Sequence, residues 1–221
     1  MPADTYPGGG EVRVVYVDPS MVVLHKPSGL LSVPGRGPDK QDCLSARVQH
    51  LYADALVVHR LDMATSGLVV MARGAAAQRT LNDAFAARLV HKRYVAVVCG
   101  ELRTPDGIWQ VIDLPIIVDW PHRPLRVIDH QHGQPSVTRW RSVRFDKDRQ
   151  TTEVELEPIT GRSHQLRVHL QAIGHPILGD SLYAPATVAA MAPRLLLHAS
   201  ALAFPHPHSG IMVAFECPSE F

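Results

Sequence analysis

The sequence has little of what would mark a secreted, membrane-bound or strongly polyanion-coating protein. Its three cysteines, Cys43, Cys99 and Cys217, are odd in number, far apart and never closely paired, so they offer neither a disulfide framework nor a cysteine zinc site. They read as reduced thiols. No apolar run approaches the roughly 18 residues of a membrane span, and the opening MPADTYPGGGEVR lacks the basic-then-apolar profile of a secretory signal. A cytoplasmic protein with no membrane partner is the expectation. The formal net charge at pH 7 is only +1, low for a protein that grips nucleic acid by bulk charge. Any polyanion must therefore meet a local patch. Internal repeats and low-complexity tracts are also missing.

What is present is a globular chain of 221 residues, 46% hydrophobic and 19% charged, enough to bury a core in one large domain or two small lobes. Short β-branched runs separated by turn residues dominate. Residues 12–17 and 21–26 read as a hairpin around Asp-Pro-Ser, and 57–59, 68–73 and 93–100 read as strands, as do 107–113, 136–145, 151–157, 195–204 and 211–217. Helical patterns occupy 42–53, started by Asp42, then 74–88, and 162–174, where Gly174 is the stop. The Pro- and Gly-dense stretch 26–41 is a loop. Adjacent strands with occasional helices indicate α+β with a mainly antiparallel sheet.

Two features bear on function. Between Asp119 and Arg149 lie seven basic residues, Arg123, Arg126, Arg139, Arg141, Arg144, Lys147 and Arg149, against four acids. Arginine's planar fork suits phosphate and base stacking, so this bias fits RNA, and it fits a solvated strand face equally well. In VVHRLDMATSGLVVMAR, 57–73, Asp62 sits in a polar turn where the chain leaves a strand, a place from which a carboxylate can project on a rigid base. On spacing alone, Arg60 and Asp62 suit either a structural ion pair or a catalytic site. The histidines raise a metal hydrolase as a competing reading. His198, His206 and His208 lie close together, but His206 and His208 flank Pro207 with no HExxH pattern beside them, and His164 and His169 are five apart and point in different directions on a helix, so the spacing argues against it.

HRLDMATSGL, 59–68, resembles the signature of the RluA-type pseudouridine synthase family. The similarity extends through HKPSGLLSVPGR (25–36), HKRY (91–94), DLPIIVDWPHRP (113–124), PITGRSHQLRVHLQAIGHPILGD (158–180) and APRLLLHA (192–199), nearly the whole chain. It implies the pseudouridine synthase catalytic fold: an α+β domain over 1–221, ordered from about 11 to 218, with two sub-lobes sharing one mixed, mainly antiparallel sheet and an active-site cleft. Many members of the family carry an N-terminal S4 RNA-binding domain, and here the expectation departs from that pattern: no S4 domain. Only about a dozen residues precede the first strand, so that domain is expected to capture RNA unaided. The implied activity is base flipping and isomerisation of uridines in stem-loops of 23S ribosomal RNA, transfer RNA or both. It implies no cofactor, no metal and no obligate protein partner, and the lack of a long exposed apolar stripe favours a monomer. The resemblance assigns Asp62 to glycosidic bond cleavage, Tyr94 to uracil stacking and late proton removal, and Arg162 to pairing with the catalytic carboxylate. Arg60 corresponds to the arginine that fills the gap left by the flipped base. His59, Lys92, Arg123, Arg126 and Arg167 are expected on the RNA-binding surface, and Leu61, Thr65, Leu195 and Leu197 in the pocket lining. A non-catalytic RNA-binding or ribosome assembly factor is the remaining alternative.

Overall fold

The structure, a computed structural model, describes residues 10–221. In chain order the strands are β1 Arg13–Val17, β2 Met21–Lys26, β3 Ala55–Val57, β4 Ser66–Arg73, β5 His91–Cys99, β6 Gln110–Asp113, β7 Ile116–Val118, β8 Arg126–Ile128, β9 Val137–Asp146, β10 Thr151–Pro158, β11 Leu197–Pro205 and β12 Met212–Glu216. The helices are α1 Leu44–Leu51, α2 Ala75–Ala86, α3 Gln165–Ala172 and the single turn α4 Ala186–Ala189. The expected α+β class is observed. The chain divides into two compact units, residues 10–92 with 199–220 and residues 93–198 with 221, among the residues described.

In the first unit the strand order is β1-β2-β4-β11, with β3 added to β4 and β12 to β11. β4 is the centre, and its run SGLVVMA is buried throughout, as a strand covered on both faces must be. Alternate residues of three strands build one core face: Met21 and Val23, then Leu68, Val70 and Ala72, then Leu202 and Phe204. Leu81 and Ala84, three apart on α2, close over it. β1 forms the outer edge, and its pairing with β2 carries a register shift between Val14 and Tyr16. α1 starts later than expected. Cys43 is its N-cap without a side-chain bond, while Asp42 is drawn to Arg47 at 2.6 Å.

The second unit carries β5-β10-β9-β6, antiparallel throughout. Alternation sorts its side chains. Thr138, Trp140 and Leu156 are buried, whereas Arg139 and Arg141 lie on the opposite face against Glu157 and Glu155, at 2.9 and 2.6 Å. Arg144 faces Glu153 at 3.6 Å. The solvated-face reading of the arginine bias therefore holds for β9, where cross-strand carboxylates offset most of the charge. Helix α3 is shorter than the pattern suggested, and its first six residues, Gln165 to Leu170, are all buried. A ribbon absent from the sequence reading, β7 with β8, closes through Asp119–Leu125, its three-residue strands too short to register as a period.

Gly67 shows how tightly β4 meets its neighbour. Its φ is +117°, and an added Cβ would collide with the backbone of Ala199. Gly67→Ala should lower unfolding free energy by about 2 kcal/mol or more, read from urea melts, with the strain and the backbone clash acting together.

Candidate active site

β3 ends at Val57 and β4 begins at Ser66, so residues 58–65 must turn the chain with few hydrogen bonds of their own. The turn closes on itself through Thr65 N–H to Asp62 C=O, at 3.1 Å. Further bonds reach it from the Pro/Gly loop after β2. Ser32 Oγ donates to Leu61 C=O at 2.7 Å and accepts the Leu61 N–H at 3.1 Å, so one hydroxyl satisfies both backbone groups of the residue before Asp62. Gly29 N–H reaches Met63 C=O at 2.8 Å, and Ser28 Oγ reaches Ala64 C=O at 2.6 Å. Asp62 is thereby flanked on both sides by anchored residues, which fixes the base from which its carboxylate projects.

At the centre of this clamp is Lys26, fully buried at the end of β2. Its Nζ donates to the carbonyls of Pro27, Leu30 and Met63 at 2.9, 2.8 and 3.0 Å, one acceptor for each N–H of an ammonium. Burial pushes its pKa down to about 7, against the opposing pull of the Asp62 carboxylate. Lys26 lies within HKPSGLLSVPGR, yet no role for it follows from the sequence. The available signal was a lysine closing a run, MVVLHK, that is otherwise made to be buried.

The rest of the first-unit assignment divides. Arg60 is exposed, while Leu61, next to Asp62, and Thr65, at the end of the turn, are buried. His59, expected to face RNA, is used otherwise. Its Nε2 accepts the Val70 N–H at 3.1 Å, its ring packs 4.9 Å from Phe85, and burial with the nearby Lys92 pulls its pKa down to about 3. A neutral imidazole tied to β4 is not a phosphate-binding cation. Lys92 is half-buried, and burial lowers its pKa as well.

In the second unit Tyr94 is half-buried on β5, opposite Leu156. Leu195 and Leu197 are buried, and the Leu196 carbonyl between them accepts the Val97 N–H at 3.1 Å. Arg162 lies exposed before α3, where its main-chain N–H and Thr160 Oγ1 both bond Gln165 Oε1, at 3.0 and 2.7 Å. Its Nε contacts the Pro135 carbonyl at 3.4 Å.

Arg167 needs correction. It is 3% exposed, and its Nε and Nη2 are committed to Asp180 at 2.8 and 2.6 Å, so its guanidinium fastens α3 rather than reaching outward to phosphate. Tyr183, under Arg167, continues the network: its hydroxyl accepts the Arg126 N–H at 3.0 Å and lies 2.6 Å from His164 Nδ1. Arg126 folds its guanidinium onto the carbonyls of Pro124 and Leu125, both at 3.2 Å, whereas Arg123 is exposed. His169 is likewise structural, placed between Thr138 Oγ1 and the Leu114 carbonyl at 2.9 Å each, with a pKa lowered by burial. His206 bonds Asp18 at 2.7 Å.

Comparison with known proteins adds an independent result. Residues 20–172 match the family described as RNA pseudouridylate synthase. The chain is 49% identical over 208 residues to the dual-specificity RNA pseudouridine synthase RluA of Yersinia pestis, covering 94% of this chain and 99% of that one. It is 48% identical to the protein of the same description from Escherichia coli K12, covering 94% and 93%. The solved structure of human RNA pseudouridylate synthase domain containing 1 superposes with a TM-score of 0.77 at 26% identity, over 100% of this chain and 87% of that one.

The clamp predicts a defined loss. Lys26→Met leaves three carbonyls without their donor and should destabilise the protein by about 3 kcal/mol or more. The pH dependence has a sign. Because the folded pKa lies near 7 and the ordinary value is 10.5, the unfolded chain binds more protons between those limits, so this group's contribution to unfolding free energy rises with pH there. Its burial cost is present in full below pH 7. Urea melts at pH 7 and 9 should show wild type gaining on Lys26→Met, by up to about 1.4 kcal/mol per pH unit.

Proposed function

This chain belongs to the RNA pseudouridylate synthase family, an isomerase family acting on RNA, and we propose that it converts uridines to pseudouridine in stem-loops of both 23S ribosomal RNA and transfer RNA. The dual specificity named for its 49%-identical relative supports the pair of substrates. A stacked uridine must first leave the helix, at a cost of a few kcal/mol. Arg60, a long exposed cation within the 58–65 turn, takes the vacated place in the stack and contacts phosphate.

The chemistry conserves every atom. The bond between N1 of uracil and C1′ breaks, the free base rotates, a bond from C5 to C1′ forms, and the proton on C5 departs to be replaced at N1. Asp62 starts the cleavage, acting at the ribose or the base. Tyr94 holds the detached ring with its aromatic face and takes part in removing the C5 proton, two tasks its ring and hydroxyl suit. Arg162 pairs with the carboxylate, and Leu195 and Leu197 exclude water. Substrate and product share one redox level, so the conversion needs no oxidant or reductant.

The observation that carries this reading is the anchoring of both neighbours of Asp62 by loop 26–32. A side chain carried on a backbone held this way starts from a fixed base when substrate arrives.

Asp62→Asn should bring tritium release from 5-tritiated uridine in a stem-loop RNA to background while RNA affinity stays within about threefold of wild type; normal release would remove Asp62 from the chemistry. For Tyr94→Phe, gel analysis should still detect glycosidic cleavage, with tritium release slowed by about a hundredfold. Unchanged release would leave Tyr94 a stacking role only.

A further inference from the structure

The ribbon β7–β8 ends in a tip that the reaction above does not use. Trp120 is 63% exposed there, the other two tryptophans being half-buried Trp109 and buried Trp140. The Arg123 guanidinium lies 3.5 Å from the Trp120 ring centroid. An indole left in water is costly, and a tip with no further task would be expected to carry a small polar turn.

The tip is also stiff. Asp119 N–H bonds Leu125 C=O and Leu125 N–H bonds His122 C=O, both at 3.0 Å, and the Asp119 carboxylate holds His122 Nδ1 at 3.0 Å. The base of the ribbon is fixed as firmly. Arg126 N–H is bonded to Tyr183 at 3.0 Å, and Gln134 N–H to the Ile116 carbonyl at 2.9 Å. Gly133 sits where any Cβ would strike the Asp129 carbonyl and Pro115. An exposed aromatic on a preordered arm costs little to immobilise on binding.

We propose that Trp120, with Arg123 stacked on it, is a platform for an unpaired nucleotide of the RNA substrate, the indole taking the base and the guanidinium the adjoining phosphate. This rests on the RNA-modifying function proposed above and extends it to substrate selection. The composite face is flat, cationic and aromatic, the combination that recognises a splayed-out base with its backbone charge. Paired RNA shields its base faces and gains nothing from it.

The test uses the full chain, a uridine-bearing RNA stem-loop and a fully paired duplex of the same composition. Trp120→Ala should weaken stem-loop binding and raise KM on the order of tenfold, with kcat changed less than about twofold. Trp120→Phe should recover most of the loss and Trp120→Leu none of it, separating stacking from generic apolar contact. Stem-loop binding should quench the exposed indole emission of wild type but not of Trp120→Phe. Duplex affinity should be equal in wild type and Trp120→Ala. Unchanged stem-loop affinity in Trp120→Ala overturns the proposal, as does an equal loss for both RNAs. These affinities and the quench are read without turnover, so a wild type that binds RNA yet releases no tritium would defeat the catalytic reading and leave this one standing or falling on its own result.

Discussion

A single buried ammonium organises the acidic turn. Lys26 gives its three N–H groups to three carbonyls, two in its own loop and one at Met63, immediately after Asp62. An uncompensated charge at zero exposure would be costly, so the surroundings must supply acceptors and a counter-charge, and the Asp62 carboxylate provides the latter. The geometry of the catalytic candidate and the desolvation of the lysine are thus two sides of one constraint. The serines at 28 and 32 complete it by bonding the residues around Met63. This explains why a loop crowded with Pro and Gly can still position a carboxylate: its order comes from side chains reaching across to another segment.

The second unit solves a similar problem with different chemistry. Arg167 and Asp180 form a bidentate pair at 4% and 1% side-chain exposure, and Tyr183 passes the order on to His164 and to the main chain of Arg126. His164 takes up a left-handed backbone at φ 59° as the residue before α3. That conformation is held by Gln165, Tyr183 and the helix behind it. The loop bearing Arg162 is therefore as firmly built as the turn bearing Asp62, and the β7–β8 ribbon shares its foundation.

Much of this was legible from residues alone. The α+β class and most strands followed from β-branched runs punctuated by turns, and the Asp62 turn followed from its polar break between two apolar segments. What escaped were properties that depend on the partner a residue meets across the fold. A sequence does not distinguish Arg167, sealed against Asp180, from Arg123, open at a ribbon tip, because both are arginines among polar neighbours. His59 reads as a cation beside Arg60, yet a strand amide claims its lone pair. Asp42 has the composition of a helix cap, but Arg47 five residues on offers it a charge-assisted bond, and the helix begins without it. The arginines of β9 become a solvated face only once the glutamates of β10 are placed opposite them.

The register shift in β1 has a consequence for how this molecule behaves among its own copies. Val15, Tyr16 and Val17 leave apolar surface on an outermost strand, the arrangement that invites strand-to-strand addition and fibrous growth. The irregularity between Val14 and Tyr16 interrupts the even spacing of amides and carbonyls that an incoming chain would have to match. In a crowded cell, this small kink favours dispersal over cross-β assembly.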